Sequence, residues 1–316
     1  MKALVIDNGL KLVNDFPKPE LKEGFALVKI LTAGICKTDI ELLKGYEGFK
    51  GIPGHEFLGI VEECNEKRWI GKRVTSEINF GCGVCEWCRK EDGRHCPDKT
   101  VLGIRGIDGA MAEYCLIPVK NLIDFPDYIT DERAIFIEPL AAACRIREQI
   151  RIRRDDKIAV LGDGKLGVLI SWVLSTIADD VTIIGHHQEK LDVAAWNGIT
   201  TSVSLPENSK FDIVVEATGS VNGLEEAISI CKPLGTIILK TTSSTPIVAD
   251  LSKVVVNEIK IIGSRCGQFR DAMQILRSYE DMPLEKLLTE TFNIDDAISA
   301  FEKAAVKNVF KVLITF

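Results

Sequence analysis

Four cysteines with short gaps between them carry the plainest chemistry in this sequence: Cys82, Cys85 and Cys88, then Cys96 after seven further residues. Thiolates so spaced converge on one tetrahedral ion, and soft sulfur ligands suit zinc, whose coordination four of them close. A closed shell has no position for a reactant, so this zinc is structural. It would pin residues 80–100, which hold too little apolar material to make a core of their own. A second set of metal-ligand types is dispersed. Cys36 stands beside Thr38 and Asp39, His55 beside Glu56, and Glu138 lies much further along. Spacing alone does not join these residues. Taken singly, Cys36 also suits a small buried thiol and His55 a hydrogen-bonded structural histidine. The third feature is Gly162, Gly164 and Gly167, with Asp163, Lys165 and Leu166 between them, directly after the apolar run 157–161. Glycines there permit a tight turn and close backbone approach, and the start of the following helix offers free N–H groups to a pyrophosphate.

The elements that must position these groups fall into two kinds. Residues 1 to about 140 read as short strands (2–6, 26–32, 57–62, 72–77 and 113–117) separated by Gly and Pro, as in a compact β-barrel. After Pro139 helices and strands alternate: helix 140–149, strand 157–161, helix 166–177, strand 181–184, helix 189–196, strand 212–215, helix 224–231 and strands 236–239 and 259–263. Such a series implies a parallel sheet covered on both faces. The expected class is α/β with domains over 1–138 and 139–264. Residues 265–316, with helices 269–279 and 294–305 and a last strand 311–316, are expected to return to the first domain.

Composition bounds the function. A length of 316 residues suits two domains, each with its own core, and 46% hydrophobic with 27% charged residues describes a globular chain. The net charge of −7 gives no basic footprint for nucleic acid. An acid at Asp7 comes too early for a signal-peptide core and no apolar run reaches membrane-spanning length, so the expected location is the cytoplasm, away from membranes. Ten cysteines in that reducing compartment point to metal rather than disulfides.

Taken in order, Gly34 to Asp39, Gly54 to Gly59, the four-cysteine lobe, Glu138-Pro139-Leu140 and Gly162 to Gly167 resemble the zinc-containing medium-chain dehydrogenases and reductases, over nearly the full length. The resemblance implies a GroES-like catalytic domain followed by a Rossmann domain. It also implies two zinc ions per chain: Cys36 and His55 would ligate a catalytic zinc, with Glu138, ranked slightly ahead of Glu56, as third protein ligand. The fourth position would be left for water or substrate. A zinc with an open position polarises an alcohol or carbonyl oxygen and so assists hydride transfer between the neighbouring carbon and a nicotinamide. Thr38 would pass the substrate proton onward, although it also suits a helix cap. The family commonly forms dimers or tetramers, partly through the sheets of its nucleotide domains.

Two departures from the family's pattern stand out. Glu41 occupies the position where many members end the proton relay with histidine, and Lys37 stands at a position usually small or variable, where a solvated side chain is the simpler reading. The choice of cofactor is read where the second strand of the nucleotide domain ends. An acid there binds the ribose 2′-hydroxyl of NAD. None is present: the strand runs into Gly185, His186 and His187, with Lys190 beyond, a set with space and donors that favours NADP(H) over NAD(H). Thr218, after a further strand, would lie beside the cofactor. The expected substrate is a small alcohol, polyol or corresponding carbonyl, with Tyr46, Phe49 and Lys50 walling the pocket. A zinc-free quinone or enone reductase and a non-catalytic nucleotide-binding protein are the competing readings.

Overall fold

In the computed structural model, which describes residues 1–90, 92–207, 210–242 and 246–316, the chain forms two compact units. The first comprises residues 1–138 and 284–316, the second residues 139–283.

The first unit is built on a seven-stranded sheet. Its path runs Leu288–Asn293, Lys311–Thr315, Phe25–Gly34, Glu56–Cys64, Arg73–Ser76 and Leu122–Asp124, and Tyr114–Pro118 pairs with Phe25–Gly34 off that path. The long strand Phe25–Gly34 is apolar on most of its length because both its neighbours and its faces are covered. The C-terminal residues complete this unit's core: Ile294, Ala297, Phe301, Val312 and Ile314 pack with Leu4, Ala33, Ile35, Ile52 and Met111. The strand Leu288–Asn293 went unread in the sequence because its Thr, Glu and Asn residues alternate without a buried face.

The second unit holds a six-stranded parallel sheet in the order Thr200–Ser202, Asp180–Ile184, Lys157–Leu161, Phe211–Glu216, Cys231–Leu239, Lys260–Gly263. The order reverses direction beside Lys157–Leu161, as in doubly wound sheets that bind nucleotides at that point. The helix after the glycine loop, Lys165–Ser175, is buried continuously from Gly167 to Leu174. This explains a run with almost no polar residue on any side. Trp172 donates its indole N–H to the carbonyl of Ala194 at 3.0 Å, joining this helix to Gln188–Ala194. The unit extends to Pro283, so the helix Phe269–Ser278, expected in the returning segment, belongs with the nucleotide sheet. Tyr279 packs edge-on against Trp196 at 6.1 Å, and Gly267 lies against the backbone of Ala141, which keeps that helix in place. Among the described residues no helix is long and apolar enough to cross a membrane.

Candidate active site

Sheet register brings the dispersed ligand types together. The end of Phe25–Gly34 runs antiparallel to the start of Glu56–Cys64, pairing Gly34 with Glu56 and Ala33 with Phe57. Cys36, two residues beyond Gly34, thereby meets His55 and Glu56. One ligand atom from each of the three lies within 4.8 Å of the others. His55 and Glu56 are buried and Cys36 is half-buried. Glu138, in the first turn of helix Ile137–Gln149 and half-buried, does not belong to this group.

Asp39, fully buried, fixes the geometry. Cys36 caps the helix Lys37–Leu43, and Asp39 accepts a hydrogen bond from the Cys36 amide at 2.8 Å with one oxygen and from the Gly54 amide at 3.2 Å with the other. One carboxylate therefore clamps both ligand-bearing segments. Its Oδ1 also lies 3.5 Å from Nδ1 of His55, a buried nitrogen that makes no hydrogen bond. Burial alone would lower the pKa of His55, but the neighbouring acidic groups of Asp39 and Cys36 outweigh it and raise it well above its ordinary value. The pocket is thus poised for positive charge. A metal on the other ring nitrogen would leave the Nδ1 proton facing Asp39, the carboxylate–histidine arrangement that orients metal ligands. Thiolate, imidazole and carboxylate are a donor set that fits zinc.

Thr38 places its hydroxyl 3.7 Å from the Cys36 sulfur and is half-buried, whereas Lys37 is exposed. Glu41 pairs with Lys44 at 2.9 Å. Behind Glu56 lies a residue the sequence reading passed over. Lys311, fully buried, ion-pairs with the Glu56 carboxylate and donates a hydrogen bond to the Ile35 carbonyl at 3.1 Å. Burial pulls its ammonium down to about 8, against the opposing charges of Cys36 and Asp39. A lysine opening a terminal strand reads as a solvated end, and only the pairing of Gly34 with Leu313 turns it inward.

Sulfurs of Cys82, Cys85, Cys88 and Cys96 also lie within 4.8 Å of one another. Backbone N–H groups of Val84 and Cys85 lower Cys82 to about 6. The Gly83 N–H pulls Cys88 down, but desolvation and the sulfurs of Cys85, Cys96 and Cys82 push it up to about 11. Four such thiols ionise together only around a cation, so this set too fits zinc.

In the second unit Gly162 adopts φ 114° and donates its amide to the Ile184 carbonyl, and a β-carbon there would lie 2.6 Å from the Ala217 carbonyl oxygen. Gly164 caps helix Lys165–Ser175 with open space around it, and Gly167 lies against the Gly162 carbonyl. Lys165 and Leu166, half-buried, form the first turn. Thr218 spends its hydroxyl on the buried Glu216, to which it donates at 2.6 Å. At the end of strand Asp180–Ile184, Gly185 is buried, His186 exposed, His187 half-buried and Lys190 buried. Asp163, between the first two glycines of the loop, reaches across to this strand end. Its Oδ2 accepts from the amides of His186 and His187 at 2.7 and 2.9 Å and lies 2.9 Å from Nδ1 of His187.

Comparison with known proteins agrees with both units. Residues 22–127 match the alcohol dehydrogenase GroES-like domain, and residues 132–316, more than half the chain, match the glucose dehydrogenase C-terminus. The chain is 29% identical to the starvation-sensing protein RspB of Escherichia coli K12, over 100% of this chain and 99% of that protein. With sorbitol dehydrogenase of Halalkalibacterium halodurans the identity is 27% over the same shares. The crystal structure of RspB from E. coli CFT073 in complex with NADH superposes with a TM-score of 0.92, at 27% identity, covering 100% of this chain and 99% of that one. The chain belongs to the zinc-containing medium-chain dehydrogenase and reductase family, NAD(P)-linked enzymes that transfer a hydride between an alcohol and the nicotinamide.

Proposed function

We propose that this enzyme oxidises a secondary alcohol or polyol, or reduces the corresponding carbonyl, at a zinc held by Cys36, His55 and Glu56. The observation that carries the reading is the meeting of those three side chains over Asp39. When bound, the zinc supplies a Lewis acid to the substrate oxygen. Asp39 holds His55 and the Cys36 turn in register, and the Thr38 hydroxyl takes the substrate proton and passes it outward. Glu138, favoured by the family resemblance, is the alternative third ligand. Zinc content separates the two: Glu56→Gln is expected to weaken zinc retention and Glu138→Gln to leave it unchanged, and the opposite order would exchange their roles. A zinc-free reductase would have no use for this donor set. Sorbitol dehydrogenase among the relatives supports a polyol.

The test of the function is a panel of alcohols and carbonyls assayed at the nicotinamide absorbance, alongside metal analysis. Two zinc ions per chain and turnover of a secondary alcohol are expected. No turnover with two zinc ions bound would refute the reading. The second zinc belongs to the four-cysteine lobe. Cys96→Ser is expected to lose one zinc per chain and to open residues 80–100 to protease while nicotinamide nucleotide binding persists, and retention of both ions would contradict the assignment.

The enzyme assembles, we propose, as a homodimer or homotetramer in the cytoplasm. Support comes from the edge strand Lys260–Gly263 and the nearby apolar residues Val248, Leu251, Val255 and Val256, the last 80% exposed. Val255→Asp with Val256→Asp is expected to shift the mass in light scattering to that of one chain, and a wild-type monomer would end the proposal.

A further inference from the structure

We infer that Asp163 supplies the carboxylate that selects NAD(H) over NADP(H), in place of the acid missing from the end of the second nucleotide-domain strand. The inference rests on the reading of the glycine loop as the dinucleotide site. It reverses the cofactor expected from Gly185, His186, His187 and Lys190 alone.

The geometry at Gly185 carries the argument. A β-carbon built there would lie 2.4 Å from Cβ, 2.5 Å from Oδ2 and 2.7 Å from Cγ of Asp163. The side chain of Asp163 therefore fills the space in which an aspartate at 185 would begin. Glycine at 185 is required by this close approach and is no sign of room for a phosphate. A carboxylate sits at the strand end after all, delivered from the other side of the crevice.

Hydrogen bonding keeps it there. All three donors, the amides of His186 and His187 and the His187 ring, meet Oδ2, which leaves Oδ1 as an acceptor for a ribose hydroxyl. Burial works against the charge, but the His187 ring and the two amides outweigh it and hold the carboxyl below its usual range, so it is ionised at neutral pH. The ring contact with His187 and the burial of Lys190 withdraw groups that would greet a 2′-phosphate. His187 is committed to Asp163, and Lys190 is buried, leaving His186 as the exposed imidazole of the set. A phosphate at this place would face a fixed carboxylate, and an unpaired like-charge contact is the usual means of rejecting one of two similar ligands.

Titration of the purified full-length enzyme with NADH and NADPH, followed by nicotinamide fluorescence, tests the inference. Wild-type enzyme is expected to bind NADH the more tightly. Asp163→Ser is expected to lose roughly 10- to 100-fold in NADH affinity, the range of a hydrogen bond to a charged group. NADPH binding should hold or improve, so the preference collapses. Asp163→Asn, neutral with nearly the same shape, keeps an acceptor for the loop and decides the matter if the serine variant fails to fold; it too should narrow the ratio. Gly185→Ala keeps the charge but displaces its carrier, and should weaken NADH as well. Wild-type preference for NADPH, or an unchanged ratio in the Asp163 variants, would overturn the inference. Binding of neither nucleotide by the wild type would overturn the dinucleotide site itself and this inference with it.

Discussion

Cys36→Ser is expected to reduce turnover by at least about a thousandfold, because Lewis-acid stabilisation amounts to several kcal/mol and each ~1.4 kcal/mol is tenfold in rate. A serine hydroxyl is a harder, weakly acidic donor and holds zinc poorly beside His55 and Glu56. The nucleotide loop around Gly162 belongs to the other compact unit, so NADH affinity should stay within about twofold, well below the tenfold that ~1.4 kcal/mol represents. The loss thus falls on kcat rather than on nucleotide binding, and metal analysis should show one zinc per chain instead of two. Undiminished turnover in this variant would remove the proposed catalytic centre.

Lys311→Met should have the largest effect on stability. Glu56 and Lys311 are both buried, and in the zinc-stripped protein, where Lys311 is the cation beside Glu56, methionine fills much of the lysine's volume but brings no charge to meet that carboxylate. Removing one partner of a buried ion pair costs about 3–5 kcal/mol, most of it the desolvation of the charge left behind. Removing both charges costs less than removing one, so Lys311→Met with Glu56→Gln should recover part of the loss even though it adds a second substitution. Denaturant unfolding of the four proteins gives this cycle directly. A Lys311→Met protein as stable as wild type would show that the pair is not what neutralises Glu56.

The two candidate metal sets differ in how far the chain itself disclosed them. The lobe ligands lie within 15 residues of one another, a separation at which chain connectivity alone keeps the thiols near a common ion. Cys36 and His55 are joined by register: Gly34 opposite Glu56 is a property of the folded sheet, and no pattern in either segment states it. The family resemblance bridged that gap and ranked Glu138 ahead of Glu56 as third ligand; in the fold it is Glu56 whose carboxylate lies within 4.8 Å of Cys36 and His55. The central strands of the second unit and the helices between them were legible because those strands are near-continuous apolar runs, whereas the edge strand Thr200–Ser202 and the exposed helix Leu251–Val256 went unread. The boundary of the unit was not legible either, since the packing of Tyr279 on Trp196 and of Gly267 on Ala141 is invisible in any local pattern.

Residue order by itself determined the alternation of strands and helices, the four-thiol lobe and the glycine loop, all of which depend on neighbours within a few turns of chain. Tertiary structure alone decided what each charged side chain faces. Lys311 and Glu56 are 255 residues apart and touch; Asp163 and His187, 24 apart, are joined by a hydrogen bond between the His187 ring and the Asp163 carboxylate. Burial, charge and the atoms opposite are set by strand pairing and packing, and those are properties of distant segments meeting rather than of any stretch of sequence read alone.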